Sequence, residues 1–161
     1  MNKFLLKNTK NYIVITMVIA IFFSLDRVLK KIALNLNDTH KFKFIGDFFS
    51  FHFVANNNIA FSLPLNGQLA TIIITFIIAL LLFFIIYLLI NKEIINKKER
   101  PQIIILLSII FAGALSNLVD RLVYGYVIDY LDLKYFTVFN IADVLISGAA
   151  IWLILKNLKN K

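Results

Sequence analysis

From Leu69 to Ile90 the chain carries no charged residue. That run has the roughly 20 apolar residues a helix needs to cross a bilayer, and its constraint dominates everything else. Three further runs are nearly as apolar. Tyr12–Leu25 can continue as helix through residues 26–34. Ile103–Val119 is interrupted only by Ser108, Ser116 and Asn117. Phe139–Leu155 carries Asn140 and Asp143 at its start. With 161 residues, 60% hydrophobic and 16% charged, the chain is too short to hide this apolar surface in a water-soluble core. An ordinary soluble enzyme, an exported soluble domain and a disordered chain are excluded. The expectation is an all-α membrane protein with four transmembrane helices. Its single integral domain covers residues 1–161, with spans near 12–32, 69–90, 103–121 and 139–157.

Direction follows from the basic residues. Lys3, Lys7 and Lys10, then Lys92, Lys97, Lys98 and Arg100, then Lys156, Lys159 and Lys161 fall on one side, ten of the 17 Lys and Arg. The positive-inside rule makes that side, with both termini, cytoplasmic. The first run follows three lysines like a signal peptide, but no small-residue cleavage site follows it, so it reads as an uncleaved span. The net charge of +8 is thus an orientation signal, and nucleic acid is not an expected partner. Without cysteine there is no disulfide, thiol nucleophile or Cys-ligated metal.

The outer segments differ from the spans. Phe42 and Phe44, then Phe49, Phe51 and Phe53, alternate as strand residues do, so a small extracytoplasmic β-sheet is expected within about residues 35–66. Residues 121–138 are expected to hold a turn and a short outer helix or loop.

All seven Asp fall on the outer side, and Glu93 and Glu99 on the inner. Antiparallel helices bring Asp26, Asp120 and Asp143 to one depth. Asp26 and Lys30 share a helix face at i,i+4. Gly113, Asn117 and Asp120/Arg121 share another, and Asn140, Asp143 and Ser147 a third. Small residues around Gly113 let the helices approach closely. Ionisable groups at that depth are costly, and two close carboxylates tend to share one proton, as an aspartic protease requires. Plainer roles fit the same residues. Asp120 with Arg121, or Asp26 with Lys30, can be structural ion pairs; Asn140 can cap a helix whose first turn holds Asp143. His40 and His52 have no companion at metal-ligand spacing. From spacing alone, a proton-coupled transporter or channel subunit relaying through Asp26, Asp120 and Asp143 fits about as well as a protease.

Four stretches in order then resemble the lipoprotein signal peptidase (signal peptidase II) family. They are Asp26-Arg-Val-Leu-Lys30; Val54-Ala-Asn-Asn-Asn-Ile-Ala-Phe-Ser62; Ala112 to Arg121, continuing through Gly125, Val127, Asp129 and Asp132; and Phe139-Asn-Ile-Ala-Asp143. The resemblance covers nearly the whole chain. It implies an aspartic endopeptidase of the bacterial inner membrane, its active site near the extracytoplasmic face. The substrate would be a diacylglyceryl-modified prolipoprotein, cut before the lipidated cysteine. It implies Asp120 and Asp143 as the catalytic dyad. Asn56, Asn117, Arg121 and Asn140 would contact substrate or support the site, and Asp26, Lys30 and Gly113 would support structure around it. No metal or cofactor is implied, and the partners are the substrate and membrane lipids, with the protein a monomer. Departures occur at Ala55 (the family's Arg), Asn58 (its Gly), Ile59 (its Ala), and Ala112 and Ser116 (both Gly).

Overall fold

A computed structural model describes residues 2–36, 41–57, 67–91, 93–95 and 99–159, without the side chains of residues 2–12, 67 and 70. Its elements are α1 (Asn2–Asn35), β1 (Phe42–Ile45), β2 (Phe49–Asn56), α2 (Gly67–Ile90), α3 (Arg100–Tyr124), β3 (Val127–Leu133), β4 (Val138–Phe139) and α4 (Ile141–Lys159). Among the described residues, three helices are long and apolar enough to cross a membrane: those at Thr71–Ile90, Arg100–Tyr124 and Ile141–Lys159. α1 is the longest helix at 34 residues, but its second half carries Asp26, Arg27, Lys30 and Lys31. The helices present large exposed apolar side chains, such as Ile72, Phe76 and Phe83 on α2 and Ile151, Trp152 and Leu155 on α4. A chain that exposes apolar surface on this scale is suited to a lipid surrounding.

α3 is the central helix and packs against α1, α2 and α4. Gly113 makes the α3–α4 approach possible: a Cβ there would sit 2.8 Å from the Ala142 carbonyl oxygen. Away from the sheet, Ile15, Ile85, Leu88, Ile104 and Leu107 form one core. The α2 terminus is closed by Arg100, which donates to the free Leu88 and Leu89 carbonyls, the latter at 2.9 Å.

At the opposite end lies a four-stranded antiparallel sheet in the order β1-β2-β3-β4. The alternating phenylalanines do form β1 and β2. The segment after Arg121 departs from the expected turn and outer helix. It holds β3 and β4, so the sheet draws equally on both connections. The cause is local: Gly125 ends α3 in the left-handed region at φ +82°, and the run Val127-Ile-Asp-Tyr-Leu131 is rich in β-branched and aromatic residues. β2 bulges between Phe51 and Val54, where it faces β3. Ala33, Phe51, Ile128 and Tyr130 seal the sheet against α1, with the Phe51 and Tyr130 rings 5.1 Å apart.

Candidate active site

Where the sheet meets the helices, the chain buries an unusual set of polar groups. Asp26, Lys30, Ser116, Asp120, Asp129 and Asn140 are all almost fully enclosed. Buried charges persist only if paired and hydrogen-bonded, so each contact has to be accounted for.

Lys30 is the hub. One turn of α1 places its ammonium 2.7 Å from Asp26 Oδ2, and across the helix interface it lies 2.7 Å from Asp120 Oδ2 and 2.7 Å from Asn117 Oδ1. Three hydrogens thus meet three acceptors, which satisfies a lysine completely. Asp26 is shared further. Its Oδ2 accepts from Ser116 Oγ at 2.6 Å, and its Oδ1 from Tyr130 Oη at 3.0 Å and the Ala142 amide at 3.2 Å. Burial, followed by the Asp26 charge, pushes the Tyr130 phenol well above its usual range.

Asp120 lies in the same cationic cage. Arg27 pairs with its Oδ1, Lys30 with its Oδ2, and the Ile128 amide donates to Oδ2 at 3.2 Å. Both of these cations come from α1. Arg27 was not singled out from sequence, because its partner lies 93 positions away.

Asp143 sits elsewhere, in the first turn of α4. Asn140 precedes that helix and caps it reciprocally: Asn140 Oδ1 accepts from the Asp143 amide at 2.9 Å, and Asp143 Oδ2 accepts from the Asn140 amide at 3.2 Å. Asn117 Nδ2 donates to Asp143 Oδ1 at 2.8 Å.

Asn140 also ties in a carboxylate that sequence reasoning had left out of the site. Its Nδ2 donates to Asp129 Oδ1 at 2.7 Å, and Asn56 Nδ2 donates to Asp129 Oδ2 at 2.7 Å. Asp129 is 1% exposed. Burial and then the nearby Asp143 charge push its carboxyl up to about 7, against the pull of the two amides and Lys30. Arg121 faces Asp129, Asp143 and Asp120 electrostatically. A signal for Asp129 was present: it is the lone acid inside an apolar strand run, Val-Ile-Asp-Tyr-Leu, with no basic residue beside it.

The expected site residues therefore converge on one region: Asp26, Lys30, Asn56, Asn117, Asp120, Arg121, Asn140 and Asp143, with Gly113 one layer below. Within it, two clusters are distinct. Asp26 and Asp120 surround Lys30, whereas Asp129 and Asp143 share Asn140. Asn58 and Ile59 lie outside the described residues, as do Asp38, His40 and Ser62. His52 is 3.9 Å from Asp132, and no group of three metal-ligating acids or histidines exists among the described residues.

The model of signal peptidase (SPase) II matches residues 18–159. The chain belongs to the signal peptidase II family. Relatives of this signal peptidase II family member include the lipoprotein signal peptidase of Clostridium tetani, 40% identical over 86% of this chain and 88% of that protein. The lipoprotein signal peptidase of Moorella thermoacetica is 32% identical over 76% of this chain and 78% of its own. Two solved structures of a bacterial membrane enzyme superpose with TM-scores of 0.75 and 0.73 at 25% and 26% identity, covering 91% and 92% of this chain and 88% and 94% of theirs. The family places the chain among bacterial membrane proteases, in agreement with its lipid-facing helices.

Proposed function

We propose that this chain is an intramembrane aspartic endopeptidase that removes the signal peptide of diacylglyceryl-modified prolipoproteins, cutting before the lipidated cysteine. Four spans, both termini in the cytoplasm and the sheet on the outer leaflet would put the site within reach of water while the substrate's lipid stays in the bilayer. One integral domain then holds scaffold and site together.

The observation that carries the reading is the pair Asp129 and Asp143 sharing Asn140. We assign the dyad to these two. Asp120, the residue expected from the sequence, has its oxygens committed to Arg27, Lys30 and the Ile128 amide and is fully buried. Asp129 titrating near 7 beside a second carboxylate is suited to holding one proton between them.

In the reaction, the ionised member of the pair takes a proton from water. The resulting hydroxide attacks the scissile carbonyl. The protonated member donates to the developing oxyanion; as the C–N bond breaks, the proton gained from water passes to the leaving amine and the gem-diol returns a hydroxyl proton to the other Asp, which restores the pair. Arg121, which faces both acids electrostatically, and Asn56, which donates to Asp129, would orient the substrate backbone.

The test is cleavage of a lipid-modified precursor by purified protein. Asp129→Asn and Asp143→Asn are expected to abolish cleavage while still inserting into membranes. Asp120→Asn is expected to lower stability yet leave measurable cleavage. Cleavage by folded Asp129→Asn together with its loss in folded Asp120→Asn would return the dyad to Asp120 and Asp143.

A further inference from the structure

Lys30 sits too far into the cation cage to be read as part of the dyad, yet it is joined to it by one side chain. An ammonium group can only donate, so the atom of Asn117 that faces Lys30 Nζ at 2.7 Å must be the amide oxygen. Asn140 Nδ2 donates to the same oxygen at 3.1 Å. With the oxygen committed on that side, the amide nitrogen is turned toward Asp143 Oδ1, 2.8 Å away. The reverse rotamer would aim an NH2 group at the ammonium and a carbonyl oxygen at the carboxylate, two repulsive contacts. Lys30 itself cannot swing away, because its other two hydrogens are held by Asp26 and Asp120 at 2.7 Å each.

We infer that Lys30 is a positioning residue for proteolysis: by fixing the Asn117 amide it keeps an N–H donor on Asp143 and so holds that carboxylate in its ionised, water-activating orientation. This rests on the dyad reading above and adds to it a division of labour. Asp143, at the positive end of α4 and fed by Asn117, carries the charge; Asp129, enclosed by the sheet, carries the proton. The charged and titratable groups facing the pair are Lys30 and Asp26 from α1, Asp120 and Arg121 from α3, and Tyr130 from β3. Lys30 acts through Asn117 and touches no reacting atom.

The experiment uses the full-length protein in detergent micelles with a fluorogenic lipid-modified peptide. Asn117→Leu removes the link and leaves Lys30 paired with both carboxylates. Lys30→Met combined with Asp26→Asn removes the ammonium without leaving Asp26 charged, while Arg27 still pairs with Asp120. Each is expected to lower kcat about 100-fold, the scale for a misplaced catalytic group, with little change in KM. The acid limb of the pH–rate profile should move about one unit upward, as the carboxylate loses a donor to its charged form. Combining all three substitutions should cost no more than Asn117→Leu alone, since both routes break the same link. A lower melting temperature with unchanged kcat and an unmoved acid limb in Asn117→Leu would overturn the inference, and that variant decides the matter if the Lys30 variant does not fold. Asp129→Asn and Asp143→Asn run alongside. Full activity in those two sinks the dyad reading instead, so the two failures are distinguishable.

Discussion

The buried acid of β3 gives the sharpest expectation. Asp129 titrates near 7 in the folded protein against 3.8 for an ordinary Asp. A carboxyl whose folded value is raised stabilises the fold only while protonated. Its contribution is intact below about pH 4, and declines as pH rises until it levels off above 7. The shift corresponds to about 4 kcal/mol in total, of which roughly 3 kcal/mol falls between pH 5 and pH 8. Asp129→Asn removes that titration. It also turns one carboxylate oxygen into an amide nitrogen facing Asn56 or Asn140, at a cost of about 1 kcal/mol. The variant should therefore match the wild type near pH 5 and exceed it by about 3 kcal/mol at pH 8. In thermal unfolding of the purified protein that is roughly 6–12 °C for a chain of this size. On the proposed dyad, which needs its one proton, cleavage by the wild type should decline as pH rises through about 7. A melting-temperature gap that stays constant from pH 5 to pH 8, or cleavage undiminished at pH 9, would refute the reasoning.

Three other outcomes are expected. Lys30→Met alone leaves Asp26 without its cation in a buried site and should destabilise the protein by about 3–5 kcal/mol, visible as loss of folded protein in size-exclusion chromatography after mild heating. Gly113→Ala pushes a methyl into the Ala142 carbonyl, which is backbone and cannot swing aside; about 1–3 kcal/mol of stability and part of the cleavage rate should be lost as α4 shifts. Treatment with EDTA should leave cleavage unchanged, because the proposed chemistry needs only carboxylates and water; loss of activity restored by a divalent cation would contradict it.

The apolar helices α2, α3 and α4 were legible because lipid demands unbroken apolar runs, and such runs are local. Phe42 to Phe53 announced two strands for the same reason, since alternation is visible within a few residues. The second half of the sheet was missed although Val127–Leu131 favours a strand, because a strand of one connection gains its partner from another connection far away in sequence. The site divided in the same manner. Asp120 beside Arg121 was visible as a local pair, but its ion pairs with Arg27 and Lys30 of α1 were not, because no local pattern reports a partner about 90 positions away. Asn140 could be read as a cap for α4, and it is one; that its amide also reaches Asp129 requires β3 to lie against the start of that helix.

That β2 pairs with β3 carries a consequence for biogenesis. The β1–β2 hairpin is synthesised before α2, but its other edge has no neighbour until α3 has been inserted and residues 127–133 have emerged beyond it. Asp143 follows still later. On the proposed dyad, a chain still being synthesised would have one acid of the pair absent and the other unenclosed until its last helix is in place. Order of synthesis would then delay peptide-bond chemistry until the scaffold that confines it is complete.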